Sequence, residues 1–139
     1  MKYLGLDLGT RTLGIAISDL THTIATTYKT IRYDDGDFDF LIHELNEIIF
    51  CEKISKIVLG LPKNMNNTLG ESAIRCLDFK DLIEKSLGVE VVMQDERLTT
   101  VEATNYMIEA NVSRKKRKKK IDSLAANIIL QSYLDRKKD

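Results

Sequence analysis

Strict alternation at the start of the chain constrains its fold more than any other feature. Leu4, Leu6 and Leu8 alternate with Tyr3, Gly5 and Asp7, a period of two that belongs to a β-strand. The turn Gly9-Thr10-Arg11-Thr12 interrupts the pattern, and Leu13, Ile15 and Ile17 resume it, so the chain opens as a hairpin. A third β-rich stretch over about residues 23–32 ends in the acidic turn Asp34-Asp35-Gly36-Asp37. From there the period changes: Phe38, Leu41, Ile42, Leu45, Ile48 and Ile49 recur at helix spacing to about residue 52. Residues 56–61 read as a short buried strand stopped by Pro62, followed by the polar loop Lys63-Asn64-Met65-Asn66-Asn67. Thr68 and Glu71 make a capping-box pattern that opens a helix to about residue 87. Residues 89–93 form another buried strand. Thr99 and Glu102 repeat the capping box for a helix to about residue 110, and a last helix spans about 121–136. The order β-β-β-α-β-α-β-α-α predicts an α/β fold with a mixed sheet, its later strands parallel and covered by helices. At 139 residues the expectation is one domain over 1–139.

Several classes of chemistry are excluded by what the chain lacks. Its apolar runs are far too short to cross a bilayer, and Asp7 falls where a signal peptide needs an apolar core, so a cytoplasmic, soluble protein without membrane contact is expected. Cys51 and Cys76 form no Cys-x-x-Cys pair, which argues against a zinc knuckle or a disulfide framework. Cys76 shares a helical stripe with Ala73, Leu77 and Ile83 and reads as a small core residue. His43 lies off the apolar stripe of its helix, and His22 sits between two threonines, so no Ser-His-Asp or Cys-His arrangement is available. Catalysis must come from carboxylates, hydroxyls, amides or metal.

Three acids occupy distinctive places. Asp7 shares a strand face with Gly5, and the next strand offers Gly14, Ala16 and Ser18, small residues that leave room for a ligand. Glu96 follows the last buried strand, at the end where an α/β sheet opens to ligands. Asp122 begins the final helix on the apolar side of Ala126, Ile129, Leu130 and Tyr133, away from the polar strip of Ser123, Asn127 and Gln131. Each has a plainer role open to it. Asp7 can accept from the turn amides of Gly9 and Thr10, Glu96 can be a solvated strand-end acid, and Asp122 can stabilise a helix N-terminus. Taken together on one small sheet, they suggest a hard-cation site. Two Mg²⁺ or Mn²⁺ ions about 4 Å apart could there activate water and stabilise an in-line phosphoryl displacement.

The zero net charge conceals a division. Residues 1–112 hold 11 basic and 18 acidic side chains, a net of −7, whereas residues 113–139 hold 10 and 3, a net of +7. Most of the excess lies in Arg114, Lys115, Lys116, Arg117, Lys118, Lys119 and Lys120. Seven consecutive cations repel one another and are expected to form a flexible or solvated segment. Their single sign favours a polyanion partner, nucleic acid above all, delivered next to Asp122. A plain solubility face is the alternative.

Four ordered blocks then resemble the YqgF family, also called RuvX, whose members are named pre-16S ribosomal RNA nucleases and, in older usage, Holliday junction resolvases. The blocks are Leu6-Asp7-Leu8-Gly9-Thr10-Arg11 with Gly14-Ile15-Ala16, and Gly60-Leu61-Pro62 with Asn64. Asp95-Glu96-Arg97-Leu98-Thr99-Thr100 follows, then Ile121-Asp122 with Ala125-Ala126 and the run from Ile129 to Leu134. The resemblance covers nearly the whole chain and implies an RNase H-like fold, a five-stranded mixed sheet flanked by helices. It maps the family's acidic metal-binding triad onto Asp7, Glu96 and Asp122, and implies that Arg11, Asn64 and Arg97 lie on the substrate side. One departure stands in the loop, where relatives often carry Asn-x-Asp-Gly-Ser and this chain reads Asn64-Met65-Asn66-Asn67-Thr68. The loop therefore lacks an acid at Asn66.

The expected function is metal-dependent hydrolysis of phosphodiester bonds, with precursor 16S rRNA as the substrate and the preribosomal particle as a further partner. Branched DNA is the alternative substrate, and a non-catalytic RNA-binding assembly factor the alternative role. The Asp7-Leu8-Gly9-Thr10 turn also resembles the phosphate hairpin of actin-like ATPases and sugar kinases. Those enzymes close two lobes around a nucleotide, and this chain has length for one. A monomer or weak homodimer is expected.

Overall fold

A computed structural model describes residues 1–62, 70–95 and 114–136. Five strands, β1 (Lys2–Leu8), β2 (Thr12–Ser18), β3 (Ala25–Arg32), β4 (Ile54–Leu61) and β5 (Glu90–Asp95), form one sheet in the order β3-β2-β1-β4-β5. β1, β2 and β3 are antiparallel neighbours, whereas β4 pairs parallel to β1 and β5 parallel to β4. The mixed sheet expected from the sequence is thus present. Three helices are described: α1 (Phe38–Glu52), α2 (Glu71–Leu87) and α3 (Arg114–Arg136). The helix expected near 99–110 lies outside the described residues.

Alternation decides which layer each strand residue joins. Leu4, Leu6, Leu13, Ile15, Ile57 and Leu59 face α1 and α2, where Leu41, Leu45, Phe79 and Ile83 close the larger core. Cys76 belongs to this core, and Cys51 is exposed. The other face carries Ala16, Ala25 and Val58 under Ala126, Ile129, Leu130 and Leu134 of α3. This second core is smaller because much of the face is glycine, alanine or polar side chains.

Glycine sets the distance between α3 and the sheet. A Cβ on Gly5 would stand 2.6 Å from the Leu130 Cβ and 2.8 Å from the Ala126 carbonyl oxygen, so the helix rests on bare backbone there. Polar ties fix its rotation. Gln131 accepts from the Ala25 amide and donates to the Thr23 carbonyl at one edge, while buried Gln94 donates to buried Ser132 towards the other. Between them the Lys56 ammonium donates to the Tyr133 hydroxyl and lies over the Tyr3 and Tyr133 rings.

Among the boundaries that differ from the sequence reading, three bear on the site. β5 extends to Asp95 because its ladder with β4 continues through Gly60–Gln94 and Leu61–Asp95. α2 starts at Glu71, with Gly70 as its N-cap and no side-chain cap bond. Gly70 is extended at ψ −175°, so the helix cannot begin earlier, and Glu71 is its first residue rather than the third of a capping box; Thr68 lies outside the described residues. The largest difference is in α3, which begins at Arg114. The basic run is therefore helical backbone rather than flexible chain. Lys and Arg are good helix formers, and the docked 125–136 segment supplies the nucleus from which each further turn propagates.

The connection from β2 to β3 is held by Asp19. Its carboxylate accepts from the Thr21 hydroxyl and from the Thr23 and Ile24 amides, which lower its pKa from the ordinary 3.8 to about 2.

Two outcomes follow. Gly5→Ala should destabilise the fold by about 1–3 kcal/mol in urea unfolding, since a backbone carbonyl must give way. Asp19→Asn should lower the thermal midpoint at neutral pH. A depressed carboxylate stabilises the fold above its unfolded pKa, so the gap should close as pH falls from 3.8 through about 2.

Candidate active site

Asp7 is half-buried near the C-terminal end of β1, the central strand, and pairs with Gly14 across the β1–β2 ladder. A Cβ on Gly14 would lie 3.7 Å from the Asp7 Cβ and 3.6 Å from the Ala126 Cβ, so carboxylate, glycine and helix meet at one spot. Together with Thr12, Thr27, Lys29, Thr30 and Asn127, they line a cleft of about 50 Å³. The face shared by Asp7, Gly5, Gly14 and Ala16 is the one read from the sequence. The Thr and Lys side chains of β3 were not singled out there, and the run Thr26-Thr27-Tyr28-Lys29-Thr30 was their only signal.

The plainer role for Asp7 finds little support in the turn that follows it. The Gly9 amide donates to the Thr12 carbonyl at 2.8 Å, and among the described residues none donates to the Asp7 carboxylate. Tyr33, also missed by the sequence reading, latches this turn from outside. Its hydroxyl donates to the Gly9 carbonyl and its amide to the Arg11 carbonyl, with the ring against Phe38. Burial pushes the Tyr33 hydroxyl pKa up, which keeps it a donor. Arg11 is exposed and borders a recess with Arg32, Tyr33, Asp34 and Asp35.

α3 runs against the direction of β1: Tyr133 lies near Tyr3, Leu130 over Gly5, and Ala126 beside Gly14. Asp122 belongs to α3 one turn before Ala126, towards the end of the sheet where β1 finishes. The helical rise puts Arg114, Lys115, Lys116, Arg117, Lys118, Lys119 and Lys120 about 9–18 Å further along the axis from Ala126. Glu96 comes immediately after β5, beyond the register pair Leu61–Asp95, and lies outside the described residues with Arg97 and Asn64. Among the described residues no three His, Cys, Asp or Glu side chains gather as a metal site.

The histidines stand apart from this chemistry. His22 stacks on Tyr3 at 3.9 Å, at the opposite end of β1 from Asp7, and exposed His43 pairs with Glu47 one helical turn away. No described helix is long and apolar enough to cross a membrane.

An oxygen-only carboxylate that accepts from none of the described residues, beside the bare backbone of Gly14, suits a hard divalent cation.

Comparison with known proteins agrees with this geometry. Residues 1–136 match the family described as RuvX, Holliday junction resolvase. A Leuconostoc mesenteroides protein provisionally named a pre-16S rRNA nuclease is 50% identical over 99% of this chain and 96% of its own length. An Oceanobacillus iheyensis protein of the same name is 47% identical over 99% of this chain and 100% of its own. Among solved structures, T. thermophilus RuvC in complex with a Holliday junction substrate superposes with a TM-score of 0.65 at 12% identity, covering 99% of this chain and 95% of RuvC. The Fowlpox virus resolvase bound to Holliday junction DNA gives a TM-score of 0.51 at 11% identity, with both chains fully covered. A Listeria monocytogenes protein provisionally named an N-acetylmannosamine kinase gives 0.51 at 20% identity, covering 74% of this chain and 38% of its own. The resolvase likenesses carry the RNase H-like fold, and the full-length sequence matches carry more: the chain belongs to the RuvX family.

Proposed function

We propose that this chain is a metal-dependent endonuclease that processes the 5′ end of precursor 16S rRNA in the cytoplasm, acting on naked RNA or on a preribosomal particle. The observation that carries the reading is the Asp7 cleft, a carboxylate on the central strand with no donor among the described residues, beside a helix that begins in seven cations. The names of the full-length relatives support RNA as the substrate.

In this reading Asp7, Glu96 and Asp122 would hold Mg²⁺ or Mn²⁺, two ions in all, which would supply Lewis acidity and an activated water at neutral pH. Asp7 would be a ligand of the metal, since it stands on the middle strand with no competing donor among the described residues. Glu96 lies two residues beyond Gln94, whose side chain bonds Ser132 on the α3 face; continued alternation would bring Glu96 to the same face as Asp7. Asp122 comes from the same helix as Ala126, one turn nearer the substrate. Gathered carboxylates repel one another, and a bound cation removes that conflict.

The basic start of α3 guides the polyanion. A helix N-terminus already carries partial positive charge, so seven cations there oppose the dipole as well as one another. Phosphates relieve both terms. Arg11, Asn64 and Arg97 flank the strand at the reacting phosphate. These contacts read charge and position rather than sequence, so selectivity comes from RNA shape or from the particle.

The test sets a 16S rRNA precursor end and a four-way DNA junction side by side with Mn²⁺, Mg²⁺ or chelator. Metal-dependent cutting of the RNA is expected, with Asp7→Asn inactive but binding nearly unchanged. Preference for the junction would make the chain a resolvase, and tight binding without cutting would make it an assembly factor. Neutralising four of the seven cations should reduce the log–log salt slope of binding by about 3, from ~0.7–0.9 per phosphate contact. An unchanged slope would mean that the run never meets the substrate.

A further inference from the structure

β3 closes the sheet on one side and, among the described strands, pairs with β2 alone. An edge strand normally keeps one face buried, yet Thr26 to Thr30 and Arg32 are all exposed, with only Ala25 and Ile31 buried. The ladder with β2 is irregular. Ile15 pairs with Lys29 and Ala16 with Thr27, so Tyr28 is an extra residue, and Gly14 pairs with Thr30.

The bulge has a chemical consequence. Gly14 and Ala16 share one face of β2, the face of Asp7, and their partners Thr30 and Thr27 are three residues apart. Regular alternation would send those two hydroxyls to opposite faces. The extra residue turns both towards Asp7; Lys29, between them in the chain and paired with Ile15, also borders the same cleft. Arg32 pairs with Thr12, two residues before Gly14, so it continues this face towards the end of the sheet. Bulges often re-aim side chains beside active sites in this way.

Two hydroxyls and Lys29 thus border the cleft of the Asp7 carboxylate, with Arg32 further along a strand whose outer edge has no partner among the described strands. Among the described residues neither Lys29 nor Arg32 is ion-paired, whereas Lys2, Lys56 and Lys80 each have an acidic partner. Arg32 stands at the end of the track, beside Arg11 in the recess that also holds Asp34 and Asp35.

We propose that β3 is the track on which the sugar–phosphate backbone of the nucleic acid lies beside Asp7, with Lys29 and Arg32 each binding a phosphate and Thr27 and Thr30 donating to the same strand. The proposal rests on the nuclease reading and adds a second contact surface to the basic start of α3. The two flank the cleft from different elements, so a strand held by both is stretched across Asp7. The role of Lys29 and Arg32 is binding rather than chemistry.

The test measures binding of a labelled single-stranded RNA oligonucleotide in chelator across a range of salt. Lys29→Gln/Arg32→Gln should reduce the log–log slope by about 1.4, from ~0.7 per phosphate on a single strand. Lys29→Arg/Arg32→Lys should keep the wild-type slope, as should Lys85→Gln, an exposed cation on α2 across the sheet. With Mn²⁺ present, the double Gln variant should cut with a raised KM and an unchanged kcat, the signature of lost uniform binding. An unchanged slope in the double Gln variant overturns the proposal, as does an equal fall in Lys85→Gln, which would reveal a mere net-charge effect. Sedimentation provides a further check: a wild-type dimer that dissociates in the double variant would make β3 a subunit interface and overturn the track. Binding in chelator needs no catalysis. A wild type that binds with the expected slopes but never cuts would refute the nuclease reading and leave the track standing.

Discussion

The close contact of α3 with β1 across Gly5 is the constraint on which the site depends. With no side chain at Gly5, the Ala126 carbonyl and the Leu130 side chain descend onto the strand. That approach brings Ala126 beside Gly14 and sets the depth of the Asp7 cleft. Rotation is fixed elsewhere, by Gln131 on β3, Tyr133 on Lys56 of β4 and Ser132 on Gln94 of β5. Three successive residues of one helix thus reach three different strands. A helix clamped in depth and rotation over its last three turns carries its preceding turns as a rigid extension. The placement of Asp122 and of the cations before it is inherited from contacts made further along.

Much of the fold was legible because the chain announces its periods clearly. Two-residue alternation in β1 and β2 gave the face of Asp7 along with its small neighbours, and helix spacing gave α1 with the observed limits. What escaped depends on contacts distant in sequence or on single insertions. A bulge adds one residue to a strand and leaves no compositional mark, so the convergence of Thr27, Lys29 and Thr30 could not be read. The Tyr33 latch joins residues 24 apart. The basic run illustrates a different limit: local repulsion suggested an open chain, and helix propagation from a docked segment prevailed. Glu96, Arg97 and Asn64 rest on motif and chemistry, outside the described residues.

The charge division acquires a spatial meaning in the folded chain. The acidic majority lies in the sheet and its first two helices, and the basic run forms the start of the third, past the end of β1. A substrate polyanion repelled by most of the surface is left with few places to settle. Local attraction within a repulsive field narrows the orientations in which a polyanion can approach.

The free edge of β3 carries a cost for any sheet that ends in solvent. Unpaired amides and carbonyls along such a strand are a template for another chain, and a long flat edge invites fibrous stacking. Here the extra residue twists the strand out of register, and Lys29 and Arg32 place charge on the edge that a second chain would have to cover. The same irregularity that opens the cleft therefore also works as a guard on solubility. Straightening β3 by deleting Tyr28 would give the chain a cleaner sheet and a surface prone to self-assembly.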